Sequence, residues 1–369
     1  MDEVPPRGGL GANGASQRPR WGRRTPYGIR RDGYRDERRV PLQRHAATTY
    51  AALDLGTNNC RLLVARPTAE GFRVVDAFSR IIRLGEGVAA SGRISDAAFT
   101  RAVEALQVCR DKMRARDVVR ARLIATAACR AAENGEEFCS RIASEAGIEL
   151  EIIDSATEAR LAATGCTELF DPSASGVILF DIGGGSSELV RLNRLPGHGR
   201  RGPPRPDIAG WASLPVGVVT LAERYGGKVV SRDIYNAMVA EVASFVEAFA
   251  ADHRDLNGFH TLGTSGTVTT IAGVYLRLQR YDRRRVDGCW LSDDDISRVV
   301  AELMAMSFEE RAANPCIGAE RADLVLAGCA ILDAIRRAFP SPRLRVADRG
   351  LREGMLVEMM REDGVWGEA

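Results

Sequence analysis

The chain has 369 residues, 45% of them hydrophobic, and a formal net charge of +2, which is length for two ordinary domains and apolar content for sizeable cores. The charge is uneven: residues 1–47 hold 11 Arg against five acids, leaving 40 basic and 44 acidic residues in the remainder. The body of the protein therefore does not attract polyanions by global charge, which disfavours a nucleic-acid-binding protein led by its basic end. No membrane span is expected, because no run of about 18 uninterrupted apolar residues occurs.

In chain order, residues 1–47 come first. Their Gly/Pro/Arg-rich composition, as in "PPRGGLGANGASQRPRWGRRTPYG", cannot build a core and predicts a disordered basic tail. The apolar stretch that a secretory signal needs is missing from it. A hairpin follows in "LDLGTNNCRLL" (53–63): a strand ending in an acid, a short polar turn and a second strand. Further strands are predicted near 71–79 and 119–126, with helices near 95–115 and 130–146. "ELEII" (149–153) reads as a strand, and "ATEARLAATG" (156–165) as a helix with Asp154 and Ser155 as N-cap candidates. Glu158 falls in the first turn of that helix and points beyond the strand end. A first-turn acid also complements the helix dipole, so its position alone does not assign it a role.

A second hairpin, "FDIGGGSSELV" (180–190), lies 127 residues after the first. Asp54 aligns with Asp181, Gly56 with Gly183, Asn59 with Ser186 and Leu62 with Leu189. A Pro/Gly/Arg loop, "RLPGHGRRGPPRPD" (194–207), leads to a strand near 207–215 and a helix near 231–252. An apolar strand then ends at Gly263, and "TSGT" opens a helix. Helices near 292–305, 320–338 and 350–361 and a strand at 343–347 complete the pattern. Alternating strands and helices predict an α/β fold with mixed sheets covered by helices, and the repeated hairpin predicts two related domains.

The repeated turn has the chemistry of a phosphate site. Glycines let backbone N–H groups come close to a ligand, and successive N–H groups make an anion-binding nest. Thr57, Ser186 and Ser187 add hydroxyl donors, and Ser265, Gly266 and Thr267 form a further anion cradle at a helix start. Aspartates at the strand ends repel phosphate unless a cation such as Mg²⁺ lies between them. Only two lysines occur, Lys112 and Lys228, and no Walker P-loop. The eight cysteines are scattered without a CxxC pair, which favours reduced thiols and a cytoplasmic protein.

"ALDLGTNNCRLLVA", "RLGEG", "ATAACRAAEN", "IIDSATEARLA", "DIGGGSSELV", "GTSGT" and "GLREGML" fall in the order and spacing of the exopolyphosphatase / guanosine pentaphosphate phosphohydrolase family, which the chain resembles from about residue 49 to 361. The resemblance implies two actin-like, sugar-kinase-like (ribonuclease H-like) domains with a phosphate-binding cleft between them. It places the first domain at 48–155, joined by the C-terminal helix 350–361, and the second at 156–349. It makes Glu158 the general base and links Asp181 and Glu188 to catalysis. Asp54, Asp181 and Glu188 become candidates to hold Mg²⁺ or Mn²⁺. Thr57, Asn58, Arg130, Gly183, Gly184, Gly185, Ser186, Ser265, Gly266, Thr267 and Arg321 become candidates to bind phosphate.

Two departures stand out. Asn59 occupies a turn position where the family usually has a hydroxyl residue. The chain also ends at Ala369, without the further helical domains of long family members. The expected reaction is hydrolysis of a terminal phosphoanhydride in inorganic polyphosphate or guanosine pentaphosphate, with no specific nucleic acid or membrane partner and a homodimer left open. A small-molecule kinase of the same superfamily, or a regulator that binds polyphosphate or (p)ppGpp without turnover, are the alternatives.

Overall fold

The computed structural model describes residues 47–194, 202–253 and 257–367. The basic tail up to residue 46 and residues 195–201 of the Pro/Gly/Arg loop lie outside the described residues.

Strand β1 (Tyr50–Leu55) is the axis of a first sheet. It pairs antiparallel with β2 (Asn59–Pro67), which pairs with β3 (Phe72–Ile81). On its other edge β1 runs parallel to β4 (Arg120–Ala125), followed by the two-residue β5 (Glu151–Ile152). The order is β3-β2-β1-β4-β5. Helices α1 (Asp96–Ala115), α2 (Ala127–Ala131) and α3 (Gly135–Ala146) lie in this half. Phe99, Leu106, Phe138 and Ile142, from α1 and α3, pack in one core with Leu53, Leu55 and Leu62 of the sheet.

After α4 (Ser155–Cys166) the pattern repeats. β6 (Gly176–Ile182), β7 (Ser187–Asn193) and β8 (Ile208–Leu214) form an antiparallel meander. Helices α5 (Val218–Tyr225) and α6 (Arg232–Asp252) lead to β9 (His260–Thr264), parallel to β6. α7 (Gly266–Tyr275), β10 (Trp290–Ser292), α8 (Asp293–Ala305), α9 (Val325–Ala338), β11 (Arg343–Ala347) and α10 (Leu351–Glu362) follow. The order β10-β11-β9-β6-β7-β8 repeats that of the first sheet, with β10 added at one edge. By length and composition α6 passes for a membrane-crossing helix, yet Tyr235, Met238, Val239, Val242 and Val246 bury one face of it in the second core, at the spacing of an amphipathic core helix.

The two inner faces are covered by helices that exchange halves. α4 packs Ala159, Ala162 and Ala163 against Val177, Leu179 and Val190 of the second sheet. α10 packs Met355, Leu356 and Met359 against Tyr50, Ala52 and Leu63 of the first. The two helices touch backbone to backbone: a Cβ at Gly165 would lie 2.0 Å from Gly350 O, and one at Gly354 2.0 Å from Leu161 O.

Two predicted helices are shorter than expected. The helix over 130–146 is broken at 132–134, where Asn134 receives the Ile94 N–H and donates to Ile94 O. That contact with a loop 40 residues away outweighs local propensity. The helix over 320–338 begins only at Val325, because residues 314–324 form consecutive turns around Gly318.

Candidate active site

Both hairpins close with one geometry. The Gly56 N–H donates to Asn59 O at 2.9 Å, and the Gly183 N–H to Ser186 O at 3.0 Å. The register then sets Asp54 opposite Arg61 and Asp181 opposite Glu188. Each acid ends a strand buried on both faces, so the ladder delivers its carboxylate to the sheet's C-terminal edge.

The two edges face each other across one cavity. Asp54, Thr57 and Asn58 line it from the first half. Asp181, Gly183, Gly184, Gly185 and Ser186 line it from the second, with Ser265, Gly266, Thr267 and Arg321 on a further wall. Arg321 lies over the Gly266 turn, where a Cβ at Gly266 would be 3.7 Å from its Nη1. The glycine turn is needed where the halves meet: a Cβ at Gly184 would fall 2.8 Å from Thr57 Cβ, and one at Gly185 2.9 Å from Thr57 Oγ1. Thr57 Oγ1, Asn58 Oδ1 and Asn59 Oδ1 are buried without a hydrogen-bond partner. Buried polar atoms ordinarily find one, so these await a ligand or water.

Glu158 also lines the cavity. Asp154 caps α4 through its Oδ1, which accepts the Thr157 N–H at 2.7 Å, and Glu158 sits in the first turn as expected. Arg130 Nη1 donates to Glu158 Oε2 at 3.1 Å and to Ile153 O at 2.8 Å. Arg130 therefore stands behind Glu158 and is not among the residues lining the cavity. Glu188 is likewise one layer back. It is 1% exposed, and its Oε1 accepts from Ser186 Oγ and Ser213 Oγ at 2.8 and 2.9 Å.

The acids repel one another. Burial pushes Glu158 up to about 8, with the charge of Glu188 adding and Arg130 opposing. Burial and then Glu158 and Asp54 push Asp181 up to about 7. Burial and Asp181 push Glu188 up to about 7 against its two serine hydrogen bonds. Burial also raises Asp54, against Arg61 and Arg352. Such a cluster favours either protons or a cation. Among the described residues no three His, Cys, Asp or Glu side chains form a ready-made metal cage. Mg²⁺ commonly takes one or two carboxylates and completes its shell with water and phosphate oxygens. Asp54 and Asp181, two hard-oxygen donors at the cavity wall, fit that requirement.

Sequence reasoning missed Ser213, Arg61 and Arg352. Ser213 carries no sequence signal, since only the β7–β8 pairing brings it to Glu188. The signals that point to the other two are the hairpin alignment, in which Arg61 is the counterpart of Glu188, and the "LREG" motif, which carries Arg352.

The chain as a whole is similar to known proteins. The "Guanosine-5'-triphosphate,3'-diphosphate pyrophosphatase" of Photobacterium profundum is 26% identical over 323 residues, covering 84% of this chain and 59% of that protein. The chain thus spans about three fifths of that relative's length. "Exopolyphosphatase 2" of Mycobacterium tuberculosis is 26% identical over 329 residues, covering 85% of this chain and 99% of that protein. The crystal structure of the Aquifex aeolicus Ppx/GppA family member superposes with a TM-score of 0.70 at 25% identity, covering 86% of this chain and 98% of that one. The fold is accordingly the actin-like arrangement of two α/β halves around a cleft. The sequence model of the Ppx/GppA phosphatase family matches residues 63–363, with the glycine turn, the Glu158 helix and the Arg321 turn inside the match, and the chain belongs to that family.

Proposed function

We propose that the protein is a hydrolase that releases terminal phosphate from inorganic polyphosphate or guanosine pentaphosphate. The observation that carries this reading is the convergence of a glycine anion turn, unpartnered Thr57 and Asn58, and buried carboxylates on one cavity. Relatives named for both reactions support it.

In this reading Gly183, Gly184, Gly185, Ser186, Thr57 and Asn58 bind the terminal phosphoryl group, and Ser265, Gly266, Thr267 and Arg321 bind a neighbouring one. Asp54 and Asp181 hold Mg²⁺ or Mn²⁺, and Glu188 orients the glycine turn through Ser186. The ion, when bound, neutralises charge on the transferring phosphoryl group and on the leaving oxygen. Glu158 orients a water and accepts its proton. Arg130 holds the Glu158 carboxylate and restrains its rise. The raised carboxyl is a feature of acids and bases tuned to work near neutral pH. A non-catalytic binder has no need of Glu158 there. The unbridged cysteines support a reducing, cytoplasmic setting.

The test is phosphate release from long polyphosphate, tripolyphosphate, guanosine pentaphosphate and ATP in parallel, with Mg²⁺ and with EDTA. Release from either of the first two or from guanosine pentaphosphate, abolished by EDTA, is expected. Tight binding of all four without release would establish the binder instead.

A further inference from the structure

The cysteines are unbridged, but four of them stand in two facing pairs. Cys60 of β2 and Cys109 of α1 lie sulfur to sulfur at 3.9 Å. Both are completely buried in the first core, which closes them to an oxidant in the folded protein. Cys129 of α2 and Cys139 of α3 make the second pair, joined by a thiol–thiol hydrogen bond. Here burial is unequal. Cys129 is 2% exposed, whereas Cys139 lies half-buried at the edge of the same core.

The hydrogen bond also divides the chemistry. The Cys129 S–H donates to the Cys139 sulfur. That bond holds the Cys139 thiol below its ordinary range, against partial burial and the charge of Glu136. The same bond, with burial, pushes Cys129 well up. The accessible sulfur is therefore the one that ionises, and the thiolate is the form that oxidants meet. The buried sulfur is in contact to resolve it.

This pair sits behind the proposed base. Cys129 and Arg130 are adjacent in the five-residue helix α2, and Arg130 holds Glu158 Oε2 at 3.1 Å. Thr126 and Ala127, at the start of the same helix, line the cleft. There is no slack between α2 and α3: a Cβ at Gly135 would lie 2.0 Å from Cys129 O. Hydrogen-bonded sulfurs stand well outside the roughly 2.05 Å of a disulfide. Bonding them must turn or shift α2, and Arg130 goes with it.

We infer that Cys129 and Cys139 form a peroxide-reactive dithiol site whose closure to a disulfide withdraws Arg130 from Glu158 and slows turnover. The effect on turnover rests on the hydrolase reading of the cleft; the disulfide itself does not. The Cys139 thiolate attacks one oxygen of hydrogen peroxide, the O–O bond breaks, and the departing oxygen leaves as water after taking up a proton. Cys139 is then a sulfenic acid. The Cys129 sulfur attacks the Cys139 sulfur, the S–O bond breaks, and a second water carries off the Cys129 proton. The two thiols lose two electrons and the peroxide gains them. A dithiol reductant restores both thiols by exchange.

The experiment treats reduced full-length protein with hydrogen peroxide in slight excess, maps disulfides by peptide mass, and measures phosphate release from tripolyphosphate on the same samples. A Cys129–Cys139 bond should form, leaving two free thiols fewer than the eight present. The value of kcat/KM should fall about 10–100-fold, the scale for a displaced catalytic group, and dithiothreitol should restore it. Cys139→Ser, with Cys139→Ala as a second variant, should turn over like the reduced wild type and resist peroxide. Cys109→Ser should respond to peroxide as wild type does. Because the effect runs through Arg130, peroxide should slow Arg130→Gln little further. Absence of the Cys129–Cys139 bond, a bond that leaves turnover unchanged, or an equal further loss in Arg130→Gln overturns the inference. Reduced protein that releases no phosphate from any substrate sinks the hydrolase reading, whereas the mapped disulfide stands or falls on its own.

Discussion

Arg130 Nη1 is shared between two acceptors, Glu158 Oε2 at 3.1 Å and Ile153 O at 2.8 Å. The carbonyl fixes the guanidinium to the end of the strand segment before α4, and the guanidinium in turn fixes the carboxylate. Glu158 is thus aimed into the cleft by a backbone anchor, which suits a group that must meet one water in one orientation.

Glu158→Gln keeps the shape and the Arg130 contact but cannot accept a proton. Turnover should fall by about two to four orders of magnitude. Substrate affinity should hold or tighten, since a negative charge near phosphate is removed. Single-turnover phosphate release and equilibrium binding on one preparation check this. Unchanged turnover would reduce Glu158 to a first-turn helix acid.

Arg130→Gln predicts a different signature. Arg130 opposes the rise of the Glu158 carboxyl, so its loss leaves the base protonated to higher pH. The acidic limb of kcat/KM, which climbs as Glu158 loses its proton, should move upward in pH. Profiles recorded from about pH 6 to 10 decide it. A uniform drop without displacement of the limb would assign Arg130 to phosphate contact alone.

The sequence marks the site where chemistry and backbone coincide. The hairpins are legible because a strand ending in acid-aliphatic-glycine recurs at Asp54 and Asp181, and a structural turn that would explain one copy does not explain two in step. What is hidden depends on distant partners. Glu188 looks like a cleft carboxylate in "GGGSSEL", but β8 supplies Ser213 and closes over it. Arg130 looks free to meet phosphate until Ile153 O and Glu158 claim it. The break in the helix near residue 133 is invisible because Asn134 pairs with Ile94, a contact that no local pattern announces.

The buried acids link stability to pH. Asp181 and Glu188 are raised to about 7 and Glu158 to about 8, whereas in the unfolded chain such groups titrate near pH 4. Between those limits the folded protein binds more protons than the unfolded one. Metal-free stability should therefore fall as pH rises from about 4.5 to 8. Mg²⁺ should raise the melting temperature more at pH 8 than at pH 5, because only the ionised cluster offers it full charge. Melting curves at both pH values, with EDTA and with Mg²⁺, test this. A Mg²⁺ effect no larger at pH 8 would place the ion away from these acids.

The last prediction concerns the "RLGEG" loop, which ties the two halves together. Its backbone is bound to the first phosphate turn: the Arg83 N–H donates to Asn58 O at 3.1 Å and the Gly85 N–H to Thr57 O at 2.8 Å. It also reaches the other half. Arg83 grips Asp323 through both carboxylate oxygens at 2.9 and 3.1 Å, and the Gly87 N–H donates to Glu223 Oε1 at 2.8 Å. Asp323 lies two residues after Arg321, so the bidentate pair links the turn that carries Thr57 to the turn that carries Arg321. Because the two side chains remain 34% and 23% exposed, screening limits their coupling to about 1 kcal/mol in a double-mutant cycle of Arg83→Ala and Asp323→Ala. The exposed Arg93–Glu137 pair, 3.6 Å apart, makes a fitting control with coupling near zero. Loosening the link should raise KM for tripolyphosphate several-fold while kcat changes little, the pattern of lost binding shared by ground and transition states. If KM stays at the wild-type value while the melting temperature falls, the pair stabilises the fold without holding the phosphate turns in register.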